Sequence, residues 1–372
     1  PFVVGETRIA CRGGKAAYGE FILVPRRAEE LKAMARDEVV RDILEAVQLG
    51  HKRGAKIVGL GAFTSVVTDG GLSLKEPGLP ALTTGNSYTA VAAQQTVQMA
   101  ALERGWSLQR RTVAVVGASG AIGQALCMLL APEVGRLILV GNPQHPEGSK
   151  RRLLQVAGRL SWSAEELCKL KIAAPGSIAS WVAELDLIRS VTPDRSGLIS
   201  LGEEVIYRTG AVVVSTDIAA VLPQADIVVC CTSSTERLIR HDLLRPNAVV
   251  CDVSRPSNVS EDLGVRRPDV LVLNGGVVRL PAGNSLGFNL SLPEGYVHAC
   301  IAETMMLALD QRYRDTSLGF DLSLAEILRL KQLADDFDFR VALDKCESTR
   351  QQESRYISNV MIEQAQVQTM TT

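Results

Sequence analysis

The sequence lacks several features that mark particular classes of protein. None of its apolar runs reaches the ~18 residues that a membrane-spanning helix needs, so no transmembrane segment is expected. Lys and Arg number 40 against 41 Asp and Glu, and the resulting net charge of −1 lacks the basic excess that drives binding to nucleic acid. With 46% hydrophobic and 22% charged residues among 372, the chain is unlike disordered, collagenous or coiled-coil proteins. Its length suits roughly two globular domains.

Signals for export and for zinc are also absent. Residues 1–5 have neither the basic region nor the cleavage site of a secretory signal, and the chain does not start with Met, which leaves room for residues upstream of Pro1. The eight cysteines are scattered without a CxxC pair, so no metal site is expected. We interpret these cysteines, with the exception of Cys300, as reduced and buried thiols of a cytoplasmic protein.

Short apolar strands alternate with helical connections through the middle of the chain. The predicted strands are residues 112–116, 137–140, 212–215, 226–231, 249–253 and 270–273. Continuous apolar strands of this kind belong to a parallel sheet that is buried on both faces. The predicted fold class is therefore α/β, a Rossmann-type doubly wound parallel sheet with a second, smaller α/β substrate domain.

The same pattern predicts how the chain is divided. Residues 1–105 would form the first part of a substrate domain, with an amphipathic helix over 28–49. Residues 106–295 would form the nucleotide-binding domain, with an insertion at about 143–208. A capping-box pattern, Ser163-Ala164-Glu165-Glu166, predicts that a helix begins inside this insertion. Residues 296–372 would form C-terminal helices that pack back on the substrate domain and end in a Gln-rich tail from about 347.

A glycine-rich turn follows the first strand of the predicted sheet and opens a helix. It reads Gly117-Ala118-Ser119-Gly120-Ala121-Ile122-Gly123. Glycines at this point permit a tight turn and the close approach of a pyrophosphate, and the helix N-terminus offers free N–H groups. The spacing is looser than G-x-G-x-x-G and is weak evidence by itself. In its strand–turn–helix context it predicts a dinucleotide site.

The end of the second strand bears on the choice between NAD and NADP. An acidic residue there would bind the ribose hydroxyls of NAD, but Asn142 follows this strand and no carboxylate does. The bases Lys150, Arg151 and Arg152 come shortly afterwards. This pattern favours NADPH, with Asn142 and Arg151 as contacts, although three bases also suit a solvated helix start.

Two further strand ends supply candidate contacts for the cofactor. Thr232 and Ser233 follow one apolar strand, at the sheet edge where cofactors lie in such folds. Ordinary turn residues are an equally good explanation for them. Another strand ends in Asn274-Gly275-Gly276, where glycines would allow a nicotinamide ring close to the backbone. Asn274 and Gly275 are accordingly candidate cofactor residues.

Cys300 is the candidate nucleophile. It would lie in the first turn of a helix that begins near 297, where the helix dipole lowers the pKa of a thiol. His298 could assist if it lay before the helix proper, and Glu303, one turn on from Cys300, could orient a proton relay or cap the helix. From chemistry alone, a small core cysteine remains an alternative.

Five segments of the chain resemble the long-chain fatty acyl-(acyl-carrier-protein) reductases of cyanobacterial alkane synthesis. These segments are residues 59–65 (GLGAFTS), 83–86 (TTGN) with 89–90 (TA), 115–123 (VVGASGAIG), 272–278 (VLNGGVV) and 299–303 (ACIAE), and they occur in the family's order across about residues 14–310. The glycine turn is common to many folds. The first, second and fourth segments, together with the cysteine, are more specific.

The resemblance implies an oxidoreductase that reduces an acyl thioester to a fatty aldehyde in two steps. Cys300 would attack the thioester of an acyl carrier protein or of coenzyme A, and NADPH would then reduce the acyl-enzyme. Oxyanion donors would come from N–H groups near Cys300 or from Thr84 and Asn86. Tyr88 stands where family members have histidine, and His298 where they have an aromatic residue. These departures, with the long insertion, suggest a different acyl group or one module of a larger synthase.

Two other classes of function stay open. The first is a dehydrogenase of the shikimate or methylene-tetrahydrofolate type, which transfers hydride directly and uses Lys and Asp side chains. Lys56 and Asp69 are the candidates for that chemistry in the first domain. The second is a non-catalytic NADP-sensing protein, which would bind the cofactor and turn nothing over.

Overall fold

The structure, a computed structural model, describes residues 1–185, 194–288, 290 and 292–345. The predicted Gln-rich tail from about 347 lies outside the described residues, as do the part of the predicted insertion over 186–193 and the end of the predicted C-terminal segment. The proposed division into domains stays a prediction.

The N-terminal part of the chain combines a hairpin with a small parallel sheet. Strands β1 (Phe2–Ala10) and β2 (Ala16–Leu23) pair antiparallel, and strands β3 (Ile57–Gly59) and β4 (Ala81–Thr83) pair parallel. The helices of this part are α1 (Ala28–Ala33), α2 (Arg36–Lys52) and α3 (Asn86–Glu103). The single helix predicted over 28–49 was wrong, because the backbone is extended at Met34 and Ala35 and divides it into α1 and α2.

The middle of the chain builds a large sheet. Its strands and helices are β5 (Thr112–Val116), α4 (Ala121–Leu130), β6 (Arg136–Val140), α5 (Pro146–Lys169), α6 (Ile178–Glu184), α7 (Arg195–Thr209), β7 (Val212–Ser215), α8 (Ile218–Val221), β8 (Ile227–Cys230), β9 (Val249–Asp252), α9 (Leu263–Arg266) and β10 (Leu271–Asn274). The remaining elements are β11 (Val277–Arg279), β12 (Tyr296–His298), α10 (Ala299–Asp310), α11 (Leu324–Asp336), β13 (Arg340–Val341) and β14 (Asp344–Lys345).

The order of the strands confirms the predicted fold class. Six parallel strands lie in the order β10-β9-β8-β5-β6-β7, which is the Rossmann order 6-5-4-1-2-3 when these strands are counted along the chain. A seventh strand, β14, adds antiparallel at the β10 edge. The order reverses between β5 and β8. Parallel sheets of this kind bind their ligands outside the carboxyl ends of the strands at such a reversal.

Both faces of this sheet are buried, as the apolar strands predicted. Along β5, Val113 and Val115 enter one hydrophobic core, and Ala114 and Val116 enter the core on the opposite face. The first core includes residues of α3, α4, α5, α10 and α11, and the second includes residues of α8 and α9. Because successive side chains of a strand point to opposite faces, both sets of side chains from Val113 to Val116 are apolar.

The helices α5, α6 and α7, which lie between β6 and β7 in the chain, contribute to the first core. Helices α5 and α7 cross so closely that a Cβ on Gly158 would lie 2.0 Å from the carbonyl oxygen of Leu198. Buried residues of α5, α6 and α7 belong to the same core as the sheet. The helix start predicted at Ser163 was wrong. This residue lies inside α5, where its hydroxyl donates to the carbonyl oxygen of Arg159, one turn earlier in the helix.

Candidate active site

The glycine turn after β5 has the geometry that its sequence predicted. Gly117 has φ +88°, and a Cβ there would lie 2.8 Å from the carbonyl oxygen of Cys231. A Cβ on Gly123 would lie 2.3 Å from the oxygen of Gly117, which places the start of α4 directly on the turn. At Gly120 the nearest atom to a Cβ is that same oxygen, at 3.3 Å. Packing within the chain therefore requires the two outer glycines, and a side chain at the middle one would also be tight against the turn.

Residues 118–122, the remainder of this turn, lie at the carboxyl edge of the sheet. The carbonyl oxygen of Ser119 accepts a hydrogen bond from Gln124 Nε2 at 3.0 Å, which ties the turn to α4. Gly120 is the N-cap of α4, and Ala121 and Ile122 begin the helix. The first N–H groups of a helix have no partner within it, so this turn presents donors for a pyrophosphate.

The loop after β6 joins Asn142 to the start of α5. The hydroxyl of Ser149 lies 3.1 Å from both the nitrogen and the oxygen of Asn142, and Arg152 Nη2 lies 3.5 Å from that hydroxyl. Asn142, Arg151 and Arg152 are all exposed. The structure thus links Arg152 to Asn142 through Ser149, whereas the sequence favoured Arg151 as the contact.

Thr232 and Ser233 follow β8 at the same edge, but both carry structural contacts. Thr232 donates its hydroxyl to Asn258 Oδ1 at 2.6 Å and its N–H to the Ser254 hydroxyl at 3.0 Å. The carbonyl oxygen of Ser233 accepts from Lys32 Nζ at 2.7 Å, a contact that reaches from α1 to the sheet edge. Their positions suit cofactor binding, while their hydrogen bonds also explain why these residues form the loop.

The turn after β10 requires one of its two glycines for packing. A Cβ on Gly275 would lie 2.3 Å from Cys251 Sγ, whereas at Gly276 the nearest atom is 4.0 Å away. Packing therefore requires a glycine at 275, whereas a Cβ at the buried Gly276 would meet only Val253 Cγ1, at van der Waals distance. Asn274 is buried, and its amide oxygen accepts a hydrogen bond from Arg255 Nη2.

The turn and the nucleophile candidate lie side by side. The N–H of Ala299 donates to the carbonyl oxygen of Gly276 at 2.8 Å, and Val277 pairs with His298 across β11 and β12. Cys300 follows as the second residue of α10. The carboxyl edge of the Rossmann sheet and the start of α10 thus meet at a single turn.

Cys300 is half-buried, and the start of α3 lies against it. A Cβ on Gly85 would lie 2.3 Å from Cys300 Cα and 2.4 Å from its Cβ. Burial raises the pKa of the Cys300 thiol, and the negative charge of Glu303 acts in the same direction, although hydrogen bonds from the N–H groups of Ile301 and Ala62 oppose them. The expected lowering of this pKa by the helix terminus was wrong, because the loss of water costs the thiolate more.

His298 lies before the helix proper, as assistance to Cys300 would require. It is the N-cap residue of α10, with φ −71° and ψ 143°. Burial, together with the charge of Arg255, lowers the pKa of His298 to about 3. The imidazole is therefore neutral at neutral pH, and it supplies no positive charge to a Cys300 thiolate.

Glu303 is fully buried and joins three segments of the chain. Its Oε1 accepts hydrogen bonds from the hydroxyls of Thr83 at 2.5 Å and Ser317 at 2.6 Å, and its Oε2 accepts from the N–H of Tyr88 at 2.7 Å. Burial raises the pKa of this carboxyl. The carboxylate acts as a cap for α3 supplied from α10, and none of these hydrogen bonds leads to the Cys300 thiol. The structure supports a positioning role in place of the predicted proton relay.

Thr84 and Asn86 differ in whether their side chains are available as hydrogen-bond donors for an oxyanion. Thr84 donates its hydroxyl to the carbonyl oxygen of Ser317 at 2.5 Å and is buried, so the prediction of an oxyanion donor at its side chain was wrong. Asn86 is half-buried in the first turn of α3, and it stays a candidate donor.

Sequence reasoning missed Arg255, Ala62 and Gly85. Arg255 lies in the loop after β9, and nothing in its spacing from Cys300 signals that its charge lowers the pKa values of His298 and Cys300. Ala62 and Gly85 lie inside the two N-terminal segments that carry the family resemblance. The close approach of α10 explains those segments, since a Cβ on Gly59 would also lie 2.1 Å from Thr304 Oγ1.

Three other observations limit the kind of site. Among the described residues, no group of three His, Cys, Asp or Glu side chains could hold a metal ion. In the part of the chain that the structure describes, no helix has the length and apolar character needed to cross a membrane. A surface cavity of about 320 Å³ lies between β1 and residues 283–287, and no site residue lines it.

The chain is similar to two curated proteins over most of its length. It is 28% identical over 340 residues to Aminotransferase PigE of a Serratia species, which covers 90% of this chain and 33% of that protein. It is 27% identical over 333 residues to the long-chain acyl-(acyl-carrier-protein) reductase of Synechococcus elongatus, which covers 86% of this chain and 81% of the reductase. The chain thus spans about a third of the first relative. No protein-family model matches it.

Solved structures give weaker matches. The D-mandelate dehydrogenase of Rhodotorula graminis matches with a TM-score of 0.31 and 11% identity over 67% of this chain and 62% of that chain. The ornithine carbamoyltransferase of Gloeobacter violaceus matches with a TM-score of 0.30 and 16% identity over 63% of this chain and 67% of that chain. The strand order of the chain itself carries the fold assignment.

Replacing Gly85 with alanine is expected to displace the nucleophile. The new Cβ would overlap the Cys300 backbone, so α10 must shift away from α3. We expect the rate of Cys300 alkylation by iodoacetamide, followed by peptide mass spectrometry, to change severalfold, with a loss of about 1–3 kcal/mol in the free energy of unfolding. Gly78→Ala is the matched control, because Gly78 also has a positive φ but no atom within 4 Å of a Cβ. Equal effects of the two variants on Cys300 would contradict the prediction.

Glu303→Ala is expected to cost at least about 3 kcal/mol in the free energy of unfolding, since three buried donors lose their acceptor. Glu303→Gln should cost about 1 kcal/mol, because an amide oxygen can still accept from Tyr88 and the hydroxyls can rotate to accept from its NH₂. Urea unfolding measures both. The exposed Glu204→Ala should stay within about 0.5 kcal/mol.

The pH dependence of Glu303 has a definite sign. A carboxyl whose pKa is raised in the folded state stabilises the protein below its unfolded value, and this contribution is lost as the pH rises through the folded value. The stability of the wild type relative to Glu303→Gln should therefore fall as the pH increases above 4.5, the ordinary value. A wild type that gained on the variant over this range would show that the carboxylate is the favoured form.

Proposed function

We propose that this chain, a divergent member of the long-chain acyl-(acyl-carrier-protein) reductase family, is an oxidoreductase that reduces an acyl thioester to an aldehyde through an acyl-Cys300 intermediate, with NADPH as reductant. The thioester would be carried by an acyl carrier protein or by coenzyme A. The similarity to PigE over a third of that protein suits a module within a larger protein.

The observation that carries this proposal is the junction of Gly276 with the start of α10. The hydrogen bond from Ala299 to Gly276 holds the half-buried Cys300 beside the carboxyl edge of the Rossmann sheet. A hydride donor must come into van der Waals contact with the carbon that it reduces. A nucleophile that binds an acyl group at this junction presents the acyl carbon to a cofactor at that edge.

The first step is an acyl transfer between two thiols. The sulfur of Cys300 forms a bond to the acyl carbon, the bond to the carrier sulfur breaks, and the proton of Cys300 ends on the released carrier thiol. The N–H groups of Ile301 and Ala62 point at the Cys300 sulfur and support its negative charge during the attack. His298 stays neutral during this step, because the proton passes from one thiol to the other. The side-chain amide of Asn86 offers a hydrogen-bond donor for the oxyanion.

The residues at the sheet edge fit a dinucleotide. The turn at Gly120 and the N–H groups of α4 suit the pyrophosphate, Asn142 with Arg152 suits a ribose 2′-phosphate, and the turn at Gly276, next to the start of α10, suits the nicotinamide. NADPH would supply a hydride which, with one proton, converts the acyl-cysteine to the aldehyde and the free thiol.

The direct-hydride alternative has less support from the geometry. A Lys–Asp catalytic pair would need Lys56 and Asp69 to act together at the site. Asp69 instead pairs with Arg36 and also accepts from the Ser73 hydroxyl, and Lys56 is exposed. A sensor that binds NADP without turnover is distinguished from a reductase by the following experiment.

Incubation with a long-chain acyl thioester in the absence of NADPH is expected to add the mass of one acyl group to the protein. Peptide mapping by mass spectrometry should locate this group on Cys300, and addition of NADPH should discharge it as the aldehyde. Parallel samples use acyl carrier protein and coenzyme A as carriers.

The controls for this experiment are Cys300→Ser and Cys168→Ser. The first should abolish a hydroxylamine-sensitive thioester adduct, and the second should leave it unchanged, because Cys168 lies on α5 and is likewise half-buried. Failure to form an adduct across several chain lengths and both carriers would refute the covalent mechanism. An adduct that NADPH does not discharge would refute the reductase function.

Arg152→Ala is expected to weaken NADPH binding roughly tenfold and to leave NADH binding unchanged, because only NADPH carries the charged 2′-phosphate. Fluorescence titration measures both affinities, and Arg151→Ala tests the neighbouring base. Arg136→Ala is the control, since Arg136 lies at the opposite end of β6 and contacts Gln224. Equal losses for the two cofactors would exclude a 2′-phosphate contact at Arg152.

A further inference from the structure

The loop after β9 is built to hold Arg255 in one position. Asp252, at the end of the strand, accepts hydrogen bonds from the N–H of Ser254 at 3.0 Å, from the hydroxyl of Ser257 at 2.6 Å and from the N–H of Asn258 at 3.2 Å. One buried carboxylate therefore fixes the backbone on both sides of Arg255.

The guanidinium of Arg255 is anchored by neutral acceptors. Its Nη1 donates to the carbonyl oxygen of Ser254 at 2.8 Å, and its Nη2 donates to Asn274 Oδ1. Its Nε is buried without a hydrogen-bond partner, and among the described residues no carboxylate forms an ion pair with Arg255. A buried donor left unpaired is costly, and a cation fixed without a counter-anion is poised to act on negative charge that develops nearby.

The anchor of Arg255 is continuous with the nucleophile. Asn274, which accepts from Arg255, lies two residues before Gly276, and the carbonyl of Gly276 accepts from the residue that precedes Cys300. The other groups around the thiol are the carboxyl of Glu303 on α10, whose negative charge raises the pKa of the thiol, the neutral His298, and the N–H groups of Ile301 and Ala62. In this set Arg255 is the group that carries a positive charge.

We propose that Arg255 is a positioning residue for the nucleophile: its fixed positive charge stabilises negative charge on the Cys300 sulfur. The charge offsets both the burial of the thiol and the nearby Glu303. The use of such a thiolate rests on the proposed function, since the thiolate is the form that attacks a thioester. The effect of Arg255 on the thiol does not depend on that function.

The test measures the thiol of Cys300 in the whole protein, without acyl substrate or NADPH. The rate of alkylation by iodoacetamide is followed at Cys300 by peptide mass spectrometry across about pH 6 to 10, a range that brackets an ordinary thiol. In Arg255→Gln the midpoint should rise by about one unit, which corresponds to roughly tenfold less thiolate at neutral pH. Arg255→Lys keeps the charge and should retain most of the wild-type profile.

Two results of this experiment would overturn the proposal. A profile of Arg255→Gln that superimposes on the wild type would overturn the proposal. Equal displacement of the lysine and glutamine variants would overturn it too, because the hydrogen bonds rather than the charge would then be at work. Arg240→Gln, which removes an exposed arginine paired with Asp242, should leave the profile unchanged. Because alkylation needs neither thioester nor cofactor, its outcome is independent of whether acyl transfer occurs.

Discussion

The carboxylate of Glu303 is the interaction on which the geometry of the site depends. It lies on α10, yet its three hydrogen-bond donors come from β4, the start of α3 and the loop before α11. Since Cys300 is one turn away on the same helix, these bonds also set where its sulfur lies. Burial makes the arrangement strong and costly at once, because the same exclusion of water that strengthens the hydrogen bonds raises the pKa of both Glu303 and Cys300. The site therefore needs compensating positive potential, which N–H groups and Arg255 provide.

Two glycines, which have no side chain, let α10 reach its position. Gly59 and Gly85 each lie where a Cβ would overlap an atom of α10. Their segments are thus constrained by contact with a helix that is remote in sequence. At a position that takes no part in the chemistry, the choice of amino acid can in this way be as restricted as at the nucleophile itself.

Much of the fold was predictable from local patterns, and the site only in part. The β-branched strands and the turn at Gly117 predicted the Rossmann sheet, because burial on both faces leaves a continuous apolar signal. The nature of Cys300 as a thiol at a helix start was also visible. The direction in which its pKa is shifted could not be predicted, because the burial of the thiol depends on segments such as the one at Ala62 that fold against it. Arg255 had no signal at all: its role comes from a loop whose neighbours are determined by strand order. The break between α1 and α2 at Met34 was not predicted, because the helical spacing of apolar residues continues across it.

The crossing of α5 and α7 has a consequence for how this protein could change over time. Gly158 brings the two backbones into contact, so α5 and α7 are integral to the core and cannot be shortened like a surface loop. The first turns of α5 carry Ser149 and Arg152, which border the end of β6. The proposed contact with the 2′-phosphate of NADPH would therefore depend on the packing of α5. A lineage that altered its reductant would have to do so by exchanging exposed side chains, while the helices beneath stayed in place.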